Sequence, residues 1–200
     1  RVENDVNLAA LAELTSGTGA DLSSFALLLL DDGLGGGIVI DGILHRGFSG
    51  VAGEVMYLPQ TPLPIGAPVL GDEVVRDLAL AHGRDPEATI DQHLDAATNG
   101  DEGALAMAAE MGRRLTLVAG SIALVLDPEA FILGGPAAPP ALVAAVARVA
   151  DELAPQLPLS ILVSSFGPEA PLVGAVGEAA SALRASVFSG LLPTTDRKTR

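Results

Sequence analysis

The chain has 200 residues, enough for one hydrophobic core, and 49% of them are hydrophobic, which excludes a disordered chain. Aromatic residues make up only 3%, so aliphatic side chains must build the core. Eleven basic and 25 acidic residues give a net charge of −14, which argues against direct contact of this chain with nucleic acid or an anionic membrane.

Apolar runs separated by glycine and proline predict alternating strands and helices. A three-strand antiparallel meander followed by parallel strands with helices between them predicts an α/β lobe with a mixed sheet and flanking helices. This pattern resembles the ribonuclease-H-like fold that sugar kinases, actin and Hsp70 share. In chain order, the predicted elements are a helix at 7–14, strands at 25–30, 38–40 and 43–46, a loop at 58–71, helices at 72–83, 88–97 and 101–126, a strand at 130–133, a helix at 138–153, a strand at 159–164 and a helix at 172–188.

A polar segment, Glu3-Asn4-Asp5-Val6-Asn7, stands at the head of the first predicted helix. Asn or Asp in this position caps free backbone N–H groups. Alternatively, a carboxylate in a cleft takes a proton from a sugar hydroxyl. In that case Asp5 would be the base, and Asn4 would bind a neighbouring hydroxyl. The segment alone leaves both roles open.

Two glycine-rich segments follow predicted strands. Residues 33–37 are predicted to form a turn whose backbone amides approach a phosphate, although such a cluster also forms a tight hairpin with bulges. Asp31 and Asp32 stand at the entry of this turn and repel a phosphate. Residues 134–135 either lie against a nucleotide or allow close contact between strand and helix.

Glu54 is the only charged residue between Gly47 and Gly71. The glycines before it suggest a backbone bent beside a ligand, and an isolated carboxylate there either faces solvent or binds that ligand. Tyr57 offers a hydroxyl and an apolar ring to the same ligand, or is a half-buried aromatic residue of a strand.

The chain contains no cysteine, which excludes disulfides, thiolate zinc sites, iron–sulfur clusters and cysteine nucleophiles. The absence also fits a reducing compartment, and we expect a cytoplasmic protein. His45, His82 and His93 lie far apart without metal-ligand spacing, so we expect neither a metal nor a cofactor. The longest apolar stretch, residues 115–126, is too short to cross a bilayer, and we expect no membrane partner.

Taken in chain order, these segments resemble the ROK family, which groups bacterial sugar-responsive transcriptional repressors and sugar kinases. The resemblance extends from Glu3 to about Leu183. It rests on Asn4-Asp5-Val6-Asn7 with residues 8–13, the hairpin at 33–37, Asp41-Gly42, Gly47…Gly50…Ala52-Gly53-Glu54, Asp127-Pro128-Glu129, Leu133-Gly134-Gly135 and Leu172-Val173-Gly174-Ala175-Val176.

The resemblance implies roles for individual residues. It implies that Asp5 matches the catalytic base and that Asn4 and Glu54 match sugar-binding residues. Tyr57 stands where the family has a zinc-ligating His, and we count it among the candidate sugar-binding residues. The glycines that match nucleotide-binding positions of the family are Gly33, Gly35, Gly36, Gly134 and Gly135.

Two departures from the family favour a regulator over a kinase. The phosphate hairpin of the family reads Gly-Thr-Gly, whereas this chain has Asp31-Asp32-Gly33, which argues against ATP and leaves the nucleotide site degenerate. A proline-rich loop at 59–68 replaces the family's cysteine cluster, so we expect that zinc is lost together with the sugar-binding Glu that follows the cluster.

We therefore expect residues 1–190 to be the C-terminal lobe of a ROK-type transcriptional regulator, followed by a tail at 191–200. By the resemblance, an N-terminal lobe and a winged helix-turn-helix precede this lobe, and DNA is contacted only through that missing part. The expected partners are a sugar or sugar derivative and further copies of the chain in a homodimer or homotetramer. Two alternatives remain, an ATP-dependent sugar kinase with Asp5 as its base and a ligand-free lobe that only mediates assembly.

Overall fold

Helices cover both faces of one five-stranded sheet. The computed structural model describes residues 2–60, 62–64, 66–135, 138–153, 157 and 159–191. In chain order its elements are α1 (Asp5–Ser16), β1 (Phe25–Leu30), β2 (Leu34–Ile40), β3 (Ile43–Leu44), a 3₁₀ turn (Val55–Tyr57), α2 (Asp72–Ala81), α3 (Ile90–Thr98), α4 (Glu102–Leu126), β4 (Ala130–Gly134), α5 (Pro140–Leu153), β5 (Ile161–Val163) and α6 (Ala170–Leu191).

The sheet has the strand order β3-β2-β1-β4-β5. β1 and β2 pair antiparallel, as do β2 and β3. β4 lies parallel to β1 and to β5. The hairpin turns join neighbours directly, whereas the parallel pairs are joined through helices that lie on the faces of the sheet. The predicted α/β lobe with a mixed sheet and flanking helices is confirmed.

β1 supplies side chains to both layers of the core. All six of its residues are buried, which is the pattern expected for a strand covered by helices on each face. Its odd-numbered residues join a cluster with Ala9 and Ala10 of α1, and its even-numbered residues join a cluster with Met111 and Leu115 of α4. Each fully buried leucine stabilises the fold by roughly 1.5–3 kcal/mol relative to an exposed one.

The prediction of a glycine-rich turn over residues 33–37 was wrong. β2 begins at Leu34, and the next three glycines pair with β1 as strand residues, so the turn contains only Asp31, Asp32 and Gly33. The sequence suggested a turn because glycine is unfavourable in strands unless another group needs the space that a side chain would fill.

That group is α1, which lies directly on β2. A Cβ on Gly35 would lie 2.4 Å from Cγ2 of Val6, and a Cβ on Gly37 would lie 2.5 Å from Cβ of Ala10. Both distances are far below van der Waals contact. The glycines of β2 are therefore required for the close approach of the helix that carries Asn4 and Asp5 at its start.

Other boundaries differ by a few residues. α1 begins at Asp5 because Asn4 is its N-cap, and β3 ends at Leu44 instead of continuing to residue 46. α4 ends as predicted at Leu126, and its C-cap Asp127 adopts a left-handed conformation with φ 46°. The 3₁₀ turn was not predicted. The tail set at 191–200 lies outside the described residues except for Leu191, the last residue of α6.

Within the described part of the chain, no helix combines the length and the apolar character that crossing a membrane requires.

Candidate functional site

The turn after β1, the glycines after β4 and the start of α1 meet at one edge of the sheet. β1 and β4 are parallel, with Leu29 opposite Gly134, so their carboxyl ends lie side by side. The first turn of α1 lies on the same end of β2, where Val6 covers Gly35. In open α/β sheets, ligands bind in the crevice outside the carboxyl ends of the strands.

Asn4 and Asp5 are exposed at the start of α1. The backbone N–H of Val6 donates to Oδ1 of Asn4 at 2.9 Å and to Oδ1 of Asp5 at 2.7 Å. Capping of the helix is therefore observed, and a carboxylate at a helix N-terminus is favoured by the helix dipole. The cap leaves Nδ2 of Asn4 and the exposed carboxylate of Asp5 in reach of a ligand, so the cap and the predicted binding role are compatible.

An ion pair between Glu3 and Arg46 links the two segments that carry the candidate sugar ligands. Nε of Arg46 donates to Oε2 of Glu3 at 2.7 Å, and Nδ2 of Asn7 donates to Oε1 at 3.0 Å. Burial alone would raise the pKa of Glu3, but the hydrogen bonds from Arg46 and Asn7 outweigh it and lower that pKa. Glu3 directly precedes Asn4, and Arg46 begins the connection to Glu54.

Sequence reasoning missed this pair because Arg46 was taken as the last residue of a strand. The available signal was its isolation, since Arg46 is the only Lys or Arg between residues 2 and 75. The Arg46 side chain is 32% exposed and that of Glu3 only 14%.

Glu54 is held at the outer side of β2 by its neighbour Gly53. The N–H of Gly36 donates to the carbonyl of Gly53 at 2.8 Å, and Gly53 has φ +97°. A Cβ on Gly53 would lie 1.9 Å from the carbonyl oxygen of Gly36, so only glycine fits. Glu54 is exposed, and Tyr57 is 50% exposed in the 3₁₀ turn, which rules out the alternative of a strand residue for Tyr57.

β2 thus connects the two halves of the predicted sugar site. Val6, next to Asp5, covers Gly35, while Gly53, next to Glu54, bonds to Gly36. Successive residues of a strand face opposite sides, and a Cβ on Gly35 would meet Val6 whereas one on Gly36 would meet Val55. The segments of Asp5 and Glu54 therefore reach the same end of β2 from two directions. The structure brings their segments together, with no contact between the two carboxylates themselves among the hydrogen bonds and ion pairs of the described residues.

The turn between β1 and β2 is strongly acidic. Burial, followed by the charges of Asp32, Asp5 and Asp72, raises the pKa of Asp31. The N–H of Asp72 donates to the carbonyl of Asp32 at 3.1 Å, which fixes the start of α2 beside the turn. Besides the larger effect of burial, the raised pKa of Asp31 reflects the negative charges gathered at the place where the family resemblance puts phosphates.

A cleft of about 420 Å³ adjoins this turn. Five carboxylates and one cation stand around it, which makes it a poor receptor for an anion. They are Asp31, Asp32, Asp72, Glu87, Asp91 and Arg76.

Close contacts account for the glycines at the nucleotide-binding positions without a nucleotide. Gly135 has φ +63°, and a Cβ there would lie 2.2 Å from the carbonyl oxygen of Leu30. A Cβ on Gly36 would lie 2.8 Å from Cγ1 of Val55. Gly33 lies in the acidic turn, and Gly134 ends β4 at the same edge. Contact with a nucleotide stays a prediction for all of these positions.

Glu13 is a second polar residue that sequence reasoning missed. It is fully buried, and it accepts hydrogen bonds from the backbone N–H groups of Thr18 at 2.7 Å and Ser165 at 3.1 Å and from the hydroxyl of Ser164. The carboxylate therefore fixes the end of α1 to the segment between β5 and α6. Its signal was a charged residue on a helix that is otherwise apolar at 8–14.

Among the described residues, no three His, Cys, Asp or Glu side chains are grouped so as to hold a metal ion. His93 is buried, and burial followed by the charge of Arg84 lowers its pKa. His45 is exposed and His82 partly so. These are the packed and surface positions expected for the histidines.

Residues 1–65 match the profile described as ROK family. An uncharacterised protein of Clostridium perfringens is 35% identical over 135 residues, which are 67% of this chain and 46% of that protein. The glucokinase of Halalkalibacterium halodurans is 29% identical over 158 residues, 67% of this chain and 48% of that enzyme. The chain spans about half the length of these curated relatives.

Two solved structures have the same fold at 25% identity. The ROK family glucokinase of Streptomyces griseus, in complex with glucose and AMPPNP, aligns over 90% of this chain and 68% of its own with a TM-score of 0.76. A ROK family transcriptional regulator, a homologue of E. coli Mlc, aligns over 87% and 50% with a TM-score of 0.74. The fold is therefore the actin/hexokinase-type ATPase fold of these proteins, as predicted. Both a kinase and a regulator have it, so the role depends on the site.

Proposed function

We propose that this chain is the sugar-binding lobe of a ROK-family transcriptional regulator that binds a sugar and does not phosphorylate it. The observation that carries the proposal is a contrast within one site. The segments of Asp5 and Glu54 are joined by the Glu3–Arg46 pair, whereas the turn at Asp31 collects negative charge.

The sugar half supplies groups suited to hydroxyls. Asp5 and Glu54 accept charge-assisted hydrogen bonds, each contributing roughly 1.5–3 kcal/mol net. Asn4 adds Nδ2 as a donor, since its Oδ1 is already engaged by Val6. The half-exposed ring of Tyr57 offers an apolar surface to the C–H face of a sugar ring. The sugar-related relatives and structural neighbours support this half of the proposal.

The phosphate half lacks what phosphoryl transfer needs. Catalysis of that reaction rests on donors and cations that stabilise charge on the transferred group. Here Asp31 and Asp32 stand in the turn, with Asp5 and Asp72 near enough to raise the pKa of Asp31. Each carboxylate within about 4 Å of a phosphate costs roughly 1 kcal/mol in water and more when partly desolvated. Asp5 is then a sugar ligand and only a vestigial base.

The regulatory mechanism that we propose is a population shift. A sugar that binds between this lobe and a second lobe favours their closed arrangement, and closure changes the spacing of DNA-binding modules in a cytoplasmic homo-oligomer. DNA is contacted by those modules and not by this chain, whose charge is −14.

Calorimetry and a coupled ADP assay on the full protein, over a panel of hexoses and glycosides, test the proposal. We expect at least one sugar to bind, with no sugar-dependent ADP release approaching about 1 per second. ADP release at or above that rate contradicts the regulator. If the folded protein binds none of the sugars, the remaining alternative is a ligand-free lobe that only mediates assembly.

A sugar kinase is the second candidate, because several matched relatives are named glucokinase or β-glucoside kinase. Asp5 would take the proton of the sugar hydroxyl as its oxygen forms a bond to the γ-phosphorus of ATP and the bond to the β-phosphate oxygen breaks, releasing ADP. The ADP assay distinguishes this candidate from the regulator.

A further inference from the structure

The proline-rich connection between the 3₁₀ turn and α2 is attached near both of its ends to one residue of α4, Arg114. Near the start of the connection, Nε2 of Gln60 donates to the carbonyl of Arg114 at 2.9 Å. Near its end, Nη1 of Arg114 donates to the carbonyl of Val69 at 3.0 Å. Gln60 and Val69 are buried, and the Arg114 side chain is 13% exposed. Both hydrogen bonds are therefore shielded from water, which strengthens them.

Glu110, one helical turn before Arg114, fixes the guanidinium in place. Nε of Arg114 donates to Oε1 of Glu110 at 2.9 Å, and Arg113 donates to both oxygens of the same carboxylate at 2.8 and 2.9 Å. The hydrogen bonds from Arg113 and then from Arg114 outweigh burial and lower the pKa of Glu110 to about 2. The carboxylate is therefore ionised near neutral pH, and its charge-assisted bond keeps the Arg114 guanidinium beside Val69.

Val69 connects Arg114 with the 3₁₀ turn that carries Tyr57. The carbonyl of Val69 accepts from Arg114, and the N–H of Val69 donates to the carbonyl of Met56 at 2.8 Å. Two residues further on, Gly71 pairs with Gly33 at the edge of the sheet where the candidate site lies. A chain of two hydrogen bonds thus leads from α4 to the residue next to Tyr57.

The backbone of the 3₁₀ turn does little to hold Tyr57 by itself. The N–H of Tyr57 donates to the carbonyl of Glu54 at 3.4 Å, well beyond the usual distance of about 2.9–3.0 Å for such a bond. The hydrogen-bond geometry of 3₁₀ turns is also poorer than that of α-helices. The bond from Val69 to Met56 is much shorter, so the place of Tyr57 depends on Val69 more than on the turn.

We propose that Arg114 is a positioning residue of the sugar site: it holds Val69, and Val69 holds the turn so that the half-exposed ring of Tyr57 is ordered before a sugar arrives. This inference rests on the proposed function, in which Tyr57 offers its ring to the sugar. A side chain that is already ordered spares the ligand the cost of ordering it, and that cost is otherwise subtracted from the affinity.

Arg113 is the matched control for Arg114. The two residues are neighbours on α4, and both bind Glu110. Among the described residues, the hydrogen bonds of the Arg113 side chain go to Glu110 alone, without a contact to the connection. Arg113→Met therefore removes an ion pair with Glu110, as Arg114→Met does, but leaves the bond to Val69.

Fluorescence anisotropy of the chain measures the motion of Tyr57 directly, because the chain has one tyrosine and no tryptophan. We expect Arg114→Met to increase the amplitude of the fast motion of the ring at least about twofold, and Arg113→Met to leave it at the wild-type value. Arg114→Lys should be intermediate, since it keeps the charge but loses the planar group whose separate nitrogens reach Glu110 and Val69. A ring that is as rigid in both Arg114 variants as in the wild type, or equally mobile in Arg113→Met, overturns the proposal.

Calorimetry on the full protein gives the second measurement, with the hexose or glycoside that binds the wild type most tightly. We expect Arg114→Met to weaken binding about threefold to tenfold and Arg113→Met to leave it unchanged. In a Tyr57→Ala background, Arg114→Met should have no further effect, because the ring that it positions is gone. Additive losses would show that Arg114 acts through other residues and contradict the proposal. If no sugar binds the wild type, the proposed function fails, whereas the anisotropy still decides whether Arg114 holds Tyr57.

Discussion

The two halves of the candidate site differ in how they are held together. In the half that carries Asp5 and Glu54, opposite charges meet in the Glu3–Arg46 pair, and α1 lies on glycines of β2. In the half around Asp31, burial and then the like charges of neighbouring carboxylates raise the pKa of Asp31. The two halves meet at Asp5, whose charge contributes to the raised pKa of Asp31. The ion pair that holds the proposed sugar half contains no residue of the acidic turn, so the proposed loss of phosphate binding leaves that pair in place.

The largest effect on stability is expected from a side chain placed between α1 and β2. Gly37→Ala places a Cβ 2.5 Å from Cβ of Ala10 and 3.0 Å from the carbonyl oxygen of Val6, so the helix must move. We expect a loss of about 2–3 kcal/mol in the free energy of unfolding, measured by urea denaturation. Gly120→Ala is the control, because nothing lies within 4 Å of a Cβ there and the change should stabilise α4 by about 0.5–1 kcal/mol. Equal effects in the two variants would contradict the close approach.

Breaking the ion pair is expected to affect both stability and the sugar site. Arg46→Met removes the guanidinium that lies 2.7 Å from Oε2 of Glu3, whose side chain is 14% exposed, and should cost about 1–2 kcal/mol of stability. The lowered pKa of Glu3 means that the pair stabilises the fold above the ordinary value of 4.5, and that this contribution is lost as pH falls through the lowered pKa. The difference in the free energy of unfolding between the wild type and Arg46→Met should therefore shrink as the pH falls.

The control for this pair is Arg76→Met. Arg76 and Glu87 have side chains 58% and 74% exposed, so their ion pair should contribute less than about 0.5 kcal/mol. Urea titrations from neutral to acid pH measure both variants. A stability difference for Arg46→Met that is independent of pH would contradict an ionic contribution from Glu3.

Asp5→Ala is expected to weaken sugar binding about tenfold or more, since it removes one charge-assisted hydrogen bond. Glu54→Gln should weaken it less, about threefold, because the shape and one acceptor oxygen survive. The fold should be retained in Asp5→Ala because Asn4 still caps α1. Calorimetry measures the sugar affinity of each variant. Asp151→Ala, on the exposed side of α5, is the control. Sugar affinities equal to the wild type in both site variants would refute the proposed ligands.

The smallest effect on stability is expected at the acidic turn. Asp31→Asn removes one of the repelling charges, and we expect a gain of a few tenths of a kcal/mol near neutral pH, because solvent screens this exposed turn. With a raised pKa, Asp31 favours the fold only while protonated, and this contribution is lost as pH rises through 3.8 to the raised value. Denaturation curves should therefore show the higher free energy of unfolding of Asp31→Asn at pH values above the raised pKa of Asp31, and no difference from the wild type below pH 3.8.

The sequence was sufficient for most of the fold and for part of the site. Apolar runs located β1, β4 and α4, because burial on both faces of a sheet demands continuous apolar residues. The glycines of β2 led to the wrong prediction of a turn. They are required by contact with α1, a helix distant in the chain, and a single sequence does not show that contact. The Glu3–Arg46 pair was missed for the same reason, because its partners are 43 residues apart in the chain.

The most direct test of the central contrast restores the family's phosphate turn. Calorimetry measures the affinity of the full protein for AMPPNP and for its sugar, in the wild type and in the double variant Asp31→Gly/Asp32→Thr. We expect no measurable nucleotide binding in the wild type, a gain of at least tenfold in the variant, and an unchanged sugar affinity. A wild type that binds AMPPNP with a Kd below about 100 µM, and that gains nothing from the exchange, would contradict the separation of the two halves.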